Sequence, residues 1–402
     1  MKMAIVVGDG MADWPLEELG GRTPLDVAST PWMDRIAREG FLGLVRTIPD
    51  GLPPGSDVAN MVILGYDPVT QYTGRGPLEA ASMGVQLSLG DVAFRCNLVH
   101  ISLDEDPPRM VDFTSGHIPT EMAREVMRIL DREMSDKEVK FYPGVSYRHL
   151  MVWKRGEHRM TTTPPHDITG REICSHLPKG KGSKKIRELM AKSQRVLATQ
   201  EVRELLGPSF KNPPNSIWLW GQGPRPRLEP VATKLGVRGA MITAVDLLKG
   251  LATYAGLRIL DVPGATGDLN TDYAAKGRFA IEALKEGDDL VFVHVEAPDE
   301  ASHQGSIHEK IKAIERFDEE VVGQILQGLT RWEDWAILVL PDHATPIPIK
   351  THSSEPVPFA VAGSKVERGK GERFHEEEAR RAGSGTVDGR ELLERLVKGR
   401  WQ

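Results

Sequence analysis

Three short apolar runs, residues 3–7, 290–295 and 335–340, each stop abruptly at acidic or histidine residues. Runs of this length without polar alternation are those of strands buried on both faces, as in a parallel sheet. Around them the spacing becomes helical, over residues 31–39, 57–64, 271–284 and 307–329, the last with apolar positions at helical intervals. Strands alternating with helices predict a doubly wound α/β core.

The middle of the chain has another texture. Residues 92–101 and 145–153 read as strands, Pro and Gly are frequent, and the turn Lys154-Arg155-Gly156-Glu157 suggests a hairpin. The α/β pattern stops near residue 88 and resumes near residue 237, so a smaller α+β domain is expected as an insertion: residues 1–88 and 237–402 form the core and 89–236 the cap. The basic, glycine-rich stretch 179–185 lacks the Gly-Lys-Ser/Thr spacing of a phosphate-binding P-loop and reads as a solvated loop.

Composition narrows the class. A chain of 402 residues favours two domains, and 40% hydrophobic with 27% charged residues is an ordinary globular balance. No apolar run approaches a membrane span, and the first is too short for a signal-peptide core, so a soluble, cytoplasmic protein is expected. The formal charge of −6, without a basic stripe, argues against nucleic acid and for a small-molecule partner. Cys96 and Cys174 stand far apart with no CxxC spacing; both read as buried thiols, neither disulfide nor metal site.

In open α/β sheets ligands collect at the carboxyl ends of strands, and all three runs put metal-type side chains there. Asp9 follows the first; Asp299 and His303 follow the second; Asp342 and His343 follow the third, with His352 nine residues later. If a helix starts after Pro298, Asp299 and His303 share a face and can reach one ion. Carboxylate with imidazole suits Mn²⁺ or Zn²⁺ and, less selectively, Mg²⁺. Singly, each of these residues is as well explained as a cap, a turn former or a hydrogen-bonded polar group; as a set they point to metal.

Pro53-Pro54-Gly55-Ser56-Asp57 is a turn entering a helix, which places Ser56 where unpaired N–H groups favour an anion. A hydroxyl needs activation to act as nucleophile, and a coordinated metal provides it. In Gly74-Arg75-Gly76, Arg75 can bind phosphate or carboxylate bidentately. Lys276, on a core helix, either neutralises phosphate charge or faces solvent. In the cap, Arg95, Arg148, His149, His166 and Asp167 are candidates for gripping substrate.

With these residues in place, the chain resembles the archaeal-type, cofactor-independent phosphoglycerate mutases of the alkaline phosphatase superfamily, nearly end to end. The resemblance rests on Gly8-Asp9-Gly10-Met11, Pro54-Gly55-Ser56-Asp57-Val58-Ala59-Asn60, Gly74-Arg75-Gly76, Phe94-Arg95-Cys96-Asn97, the stretch 294–303, Asp342-His343 and His352-Ser353. It implies an alkaline-phosphatase-like core with an inserted cap and two divalent ions, Mn²⁺ foremost. By the family pattern Asp299, His303 and His352 would hold one ion, and Asp9, Ser56, Asp342 and His343 the other. Lys276 matches the family's lysine near the metals, while Arg95, Arg148, His149 and Asp167 carry over only loosely. The implied activity interconverts 3-phosphoglycerate and 2-phosphoglycerate through a phosphoserine. The first eighty residues also look close to bacterial members proposed as homoserine kinases. That keeps a kinase-like phosphotransferase as the alternative, with a metal-dependent phosphatase third, although neither a P-loop nor a glycine-rich kinase loop occurs.

Overall fold

The three apolar runs are neighbours at the centre of one sheet. In the computed structural model, which describes residues 1–208, 210–383 and 385–401, strand Lys2–Gly8 lies between Leu290–Val295 and Trp335–Leu340, parallel to both. From Met3 onward every residue of the middle strand is buried, because helices cover both faces; this is why its sequence shows no alternation. Gly8 pairs with Val295 and Val7 with Leu340, so the loops that begin at Asp9, Glu296 and Pro341 leave the same sheet edge.

Eight strands make up this sheet, in the order Arg258–Ile259, Gly239–Ile242, Leu290–Val295, Lys2–Gly8, Trp335–Leu340, Val357–Gly363, Phe41–Arg46 and Thr386–Asp388. Neighbours are parallel except on either side of Val357–Gly363, which runs against both. Helices Pro31–Glu39 and Tyr273–Lys285 appear as the periodicity predicts. The predicted helix 307–329 is continuous but not uniform, since its middle, Phe317–Val322, widens into a π turn. That turn carries Asp318, whose carboxylate accepts the Trp32 and Met33 N–H groups at 3.1 and 2.7 Å and so satisfies two open donors at the start of Pro31–Glu39.

The chain divides into two units, residues 1–72 with 227–402 and residues 73–226. The division falls at 72/73 and 226/227, not at 88/89 and 236/237, because helix Arg75–Ser82 packs with the inserted segment: its Ala80 clusters with Ala93, Leu150 and Val152. The second unit is built on an antiparallel sheet of Val139–Val145, Arg148–Trp153, Val92–Ile101, Met110–Asp112 and Ser216–Pro224. Helices Thr120–Met134 and Ser183–Leu197 bury Val126, Leu130, Ile186 and Met190 against it.

Two expectations are corrected here. The hairpin precedes the predicted strand instead of following it: Val145 pairs with Arg148 across a two-residue turn at Ser146-Tyr147, which Ser146 closes with φ 52°. Beyond turn 154–157 the chain enters Met160–Thr161, which pairs with Lys179–Gly180. Cys96 is buried as expected, but Cys174 is exposed, on the short turn Cys174–His176. Among the described residues no helix is long and apolar enough to cross a membrane.

Candidate active site

The loops at the common sheet edge of the first unit bring the six acid and imidazole candidates together around Ser56. Asp342 Oδ1 accepts from the Gly10 N–H at 3.2 Å, tying the loop after one central strand to the loop after its neighbour. Its Oδ2 accepts from Asn60 Nδ2 at 2.9 Å, and the same amide reaches the Ser56 carbonyl at 2.8 Å. Asn60 therefore fixes the first turn of helix Ser56–Ile63 to a loop nearly three hundred positions away. Ser56 Oγ then lies 3.3 Å from His343 Nε2 and 3.4 and 3.5 Å from the two Asp9 oxygens.

Beside it, Asp299 and His303 share a face of helix Ala297–Gln304, as the spacing predicts, with Oδ2 and Nε2 3.0 Å apart. His352 Nε2 is 3.5 Å from Asp299 Oδ1 and 3.1 Å from His303 Nε2. His303 Nδ1 bonds the Lys350 carbonyl at 2.9 Å and His352 Nδ1 the Pro54 carbonyl at 3.4 Å. A carbonyl only accepts, so both Nδ1 atoms carry the proton and the two Nε2 atoms facing each other are bare in the neutral rings. Two lone pairs directed at one point beside a carboxylate form a cation's ligand set. One ligand atom each from Asp299, His343 and His352, and likewise from Asp9, Asp342 and His343, falls within 4.8 Å of the others. The chemistry of the donors thus fits two divalent cations.

The charges agree with that fit. Asp9 is pushed well above the ordinary carboxylate range by burial and by the neighbouring Asp342 and Asp299 charges. His303 is raised to about 9, chiefly by its bond to Asp299, so without a cation its Nε2 holds a proton against that carboxylate, and a cation would take the proton's place. Asp299 and Asp342, by contrast, are held below the ordinary carboxylate range, against the effect of their burial, by the neighbouring imidazoles, so Asp9 is the carboxylate left without a compensating charge, and a divalent cation would supply one.

Two members of the site escaped the sequence reading. His294, wholly buried at the end of the Leu290–Val295 run, has Nε2 3.4 Å from Asp9 and 3.5 Å from Asp342, and Nδ1 3.4 Å from Glu296. Glu296 accepts from Thr243 Oγ1 at 3.1 Å, from the Ala244 N–H at 2.7 Å and from Lys276 Nζ at 2.6 Å. A histidine within an otherwise apolar strand was the available signal. Lys276 faces neither solvent nor Ser56: it is completely buried and bound to Glu296 and to the His294 carbonyl, so it reaches the acids through two intermediaries.

In the second unit the substrate candidates separate. Strand register sets Arg95 opposite Leu150, Cys96 opposite His149 and Asn97 opposite Arg148, which puts Arg95 and Arg148 on one face of the sheet and His149 on the other. Arg95 is buried, pairs with Glu79 at 2.8 Å, and lies 4.5 Å from the Trp220 ring centre; its Nε has no partner among the described residues. His149 is buried with Nδ1 accepting the Gly144 N–H at 3.0 Å, and burial lowers its pKa to about 3. That ring is a neutral part of the fold, which removes the reason to assign it to substrate. Asp167, on turn Pro165–Ile168, is exposed beside His166, whose ring meets Trp220 edge-on at 5.4 Å. Arg75 opens helix Arg75–Ser82.

The chain as a whole is similar to known proteins. The family profile described as 2,3-bisphosphoglycerate-independent phosphoglycerate mutase matches residues 37–203. A Methanosarcina barkeri protein named 2,3-bisphosphoglycerate-independent phosphoglycerate mutase is 52% identical over 99% of this chain and 100% of its own length. A solved structure of a Pyrococcus horikoshii protein, 30% identical, superposes with a TM-score of 0.83 over 100% of this chain and 98% of that one. The cofactor-independent phosphoglycerate mutase of Thermoplasma acidophilum, 23% identical and covering 100% of both chains, shares the fold with a TM-score of 0.69. The chain belongs to the 2,3-bisphosphoglycerate-independent phosphoglycerate mutases.

Proposed function

We propose that this protein interconverts 3-phosphoglycerate and 2-phosphoglycerate in the cytoplasm, through a phosphoserine formed on Ser56. The observation that carries the reading is the placement of Ser56 Oγ at a helix start, 3.3 Å from His343 and within 3.5 Å of Asp9. Asp299, His303 and His352 would hold one divalent cation and Asp9, Asp342 and His343, with Ser56, a second, Mn²⁺ being the first choice for this donor set. Bound there, the cations would lower the pKa of the hydroxyl and offset phosphoryl charge.

In the forward direction Ser56 Oγ gives up its proton and forms a bond to phosphorus as the bond to the substrate's 3-oxygen breaks; that oxygen takes up a proton, leaving enzyme-held glycerate. The glycerate turns and its 2-hydroxyl, losing its proton, attacks the phosphoserine as the bond from phosphorus to Ser56 Oγ breaks, and Oγ regains a proton, which returns Ser56 to its starting state. The N–H groups opening helix Ser56–Ile63 favour the dianion on that serine. Arg75, Arg95 and Arg148 are the candidates for the substrate's carboxylate, and a planar guanidinium suits that group bidentately. Asp167 would act only as an orienting partner for His166. Lys276 acts through Glu296 and His294, holding the acids in place without touching substrate.

An enolase-coupled assay tests this. Turnover should require divalent metal, stop with EDTA and return with Mn²⁺, and produce 2-phosphoglycerate with little free phosphate. Stoichiometric phosphate release would make the protein a phosphatase. ATP-dependent phosphorylation of homoserine would make it a kinase.

A further inference from the structure

Thr345 is wholly buried in the loop that follows strand Trp335–Leu340. Its hydroxyl lies 2.5 Å from Asp299 Oδ1 and 3.2 Å from His343 Nδ1. Asp299 belongs to the donor set with His352, whereas His343 lies within reach of that set and also of the one with Asp9 and Asp342. An ionised carboxylate only accepts, and a hydroxyl has a single proton to give. Asp299, already flanked by the imidazoles of His303 and His352, takes that proton. The hydroxyl oxygen is then left to accept from His343 Nδ1–H. The bare nitrogen of His343 is consequently Nε2, the atom that faces Ser56 Oγ and Asp9 Oδ1, each at 3.3 Å.

The surroundings hold the hydroxyl there from three sides. The Thr345 N–H donates to the Ala12 carbonyl at 3.1 Å. Its own carbonyl accepts from Lys310 Nζ at 3.0 Å, and the same buried ammonium binds Ala12 O and the Asp13 carboxylate. Gly10, at φ 60°, supplies the space, since a Cβ there would collide with both Asp299 Oδ1 and Thr345 Oγ1.

We propose that Thr345 is a positioning residue whose hydroxyl sets the His343 tautomer and couples the two cation sites. The inference rests on the two-cation reading above and adds a specific link between the sites. Partners of this kind orient a ligand's lone pair, and losing one typically weakens metal binding by about 10–100-fold.

The test is a Mn²⁺ titration of the full-length protein by calorimetry, with the spin–spin coupling of the bound pair read by electron paramagnetic resonance. Thr345→Val and Thr345→Ala should weaken Mn²⁺ binding by about 10–100-fold and diminish the coupled signal, while Thr345→Ser stays within about threefold of wild type. Circular dichroism melts identify folded variants; if the valine form does not fold, the smaller alanine form carries the same expectation. Wild-type affinity and coupling in the variants lacking the hydroxyl would overturn the proposal, as would an equal loss in Thr345→Ser. A wild-type protein that binds no Mn²⁺ would instead overturn the two-cation reading, and this inference with it.

Discussion

The two units carry charge in opposite ways. In the first, acids and imidazoles gather at the ends of parallel strands, around a serine. In the second, arginines stand on one face of an antiparallel sheet, with Arg95 buried against Glu79 and Trp220. The geometry behind the difference is simple. Parallel strands end at a common edge, so residues just past their ends meet there whatever the fine register. On an antiparallel sheet a residue reaches a given face only if its parity along the strand is right. The first arrangement suits a point-like ligand set for cations, the second a broad surface for an anion.

Substitutions can separate these roles. Ser56→Ala should lower kcat by at least about 1000-fold in the coupled assay while the protein remains folded; substantial residual turnover would remove it as nucleophile. Lys310→Met strands the buried Asp13 carboxylate, which Lys310 Nζ now meets at 2.8 Å, and should cost about 3–5 kcal/mol of stability in chemical denaturation. Little change would mean the loops of the first unit do not depend on that internal clamp. Arg95→Met should reduce kcat/KM by about 100-fold yet leave Mn²⁺ affinity unchanged, because losing a charge-assisted contact is worth about 2–3 kcal/mol. A parallel loss of metal binding would break the division of labour between the units. His149→Leu should be the mildest, with kcat/KM within about threefold and stability lower by about 1 kcal/mol from the unpaired Gly144 N–H. A large loss of activity there would return His149 to the substrate.

Strand parity also explains what could be read from the chain. Asp9, Asp299, His303, Asp342 and His343 were legible because each follows a buried run, and the shared edge of a parallel sheet does the rest. Arg148 and His149 were grouped with Arg95, although consecutive strand residues point to opposite faces; only the register showed which of the two joins it. His294 lies inside an apolar run and Glu296 directly after it, and the role of each is set by partners distant in sequence, Asp9 and Asp342 for the one, Lys276 and Thr243 for the other. Lys276 looked equally suited to solvent for the same reason, its counter-charge Glu296 arriving from another element.

For two of the strands that the chain did not show, the causes are local. Val357–Gly363 contains Pro358, which argues against an inner strand. It is nevertheless flanked on both sides, because its pairing with Trp335–Leu340 begins only at Ala360, past the proline. Ser216–Pro224 ends in Gly221-Gln222-Gly223-Pro224, a turn-like composition, yet its register continues to Pro224 opposite Val92.

The central claim is that distant side chains assemble a dinuclear site on one hydroxyl. Anomalous diffraction from crystals loaded with Mn²⁺ tests it most directly. Two peaks are predicted, about 3.5–4 Å apart, one held by Asp299, His303 and His352 and one by Asp9, Asp342 and His343 in contact with Ser56 Oγ. A single ion remote from Ser56, or no ion among these residues, would contradict it.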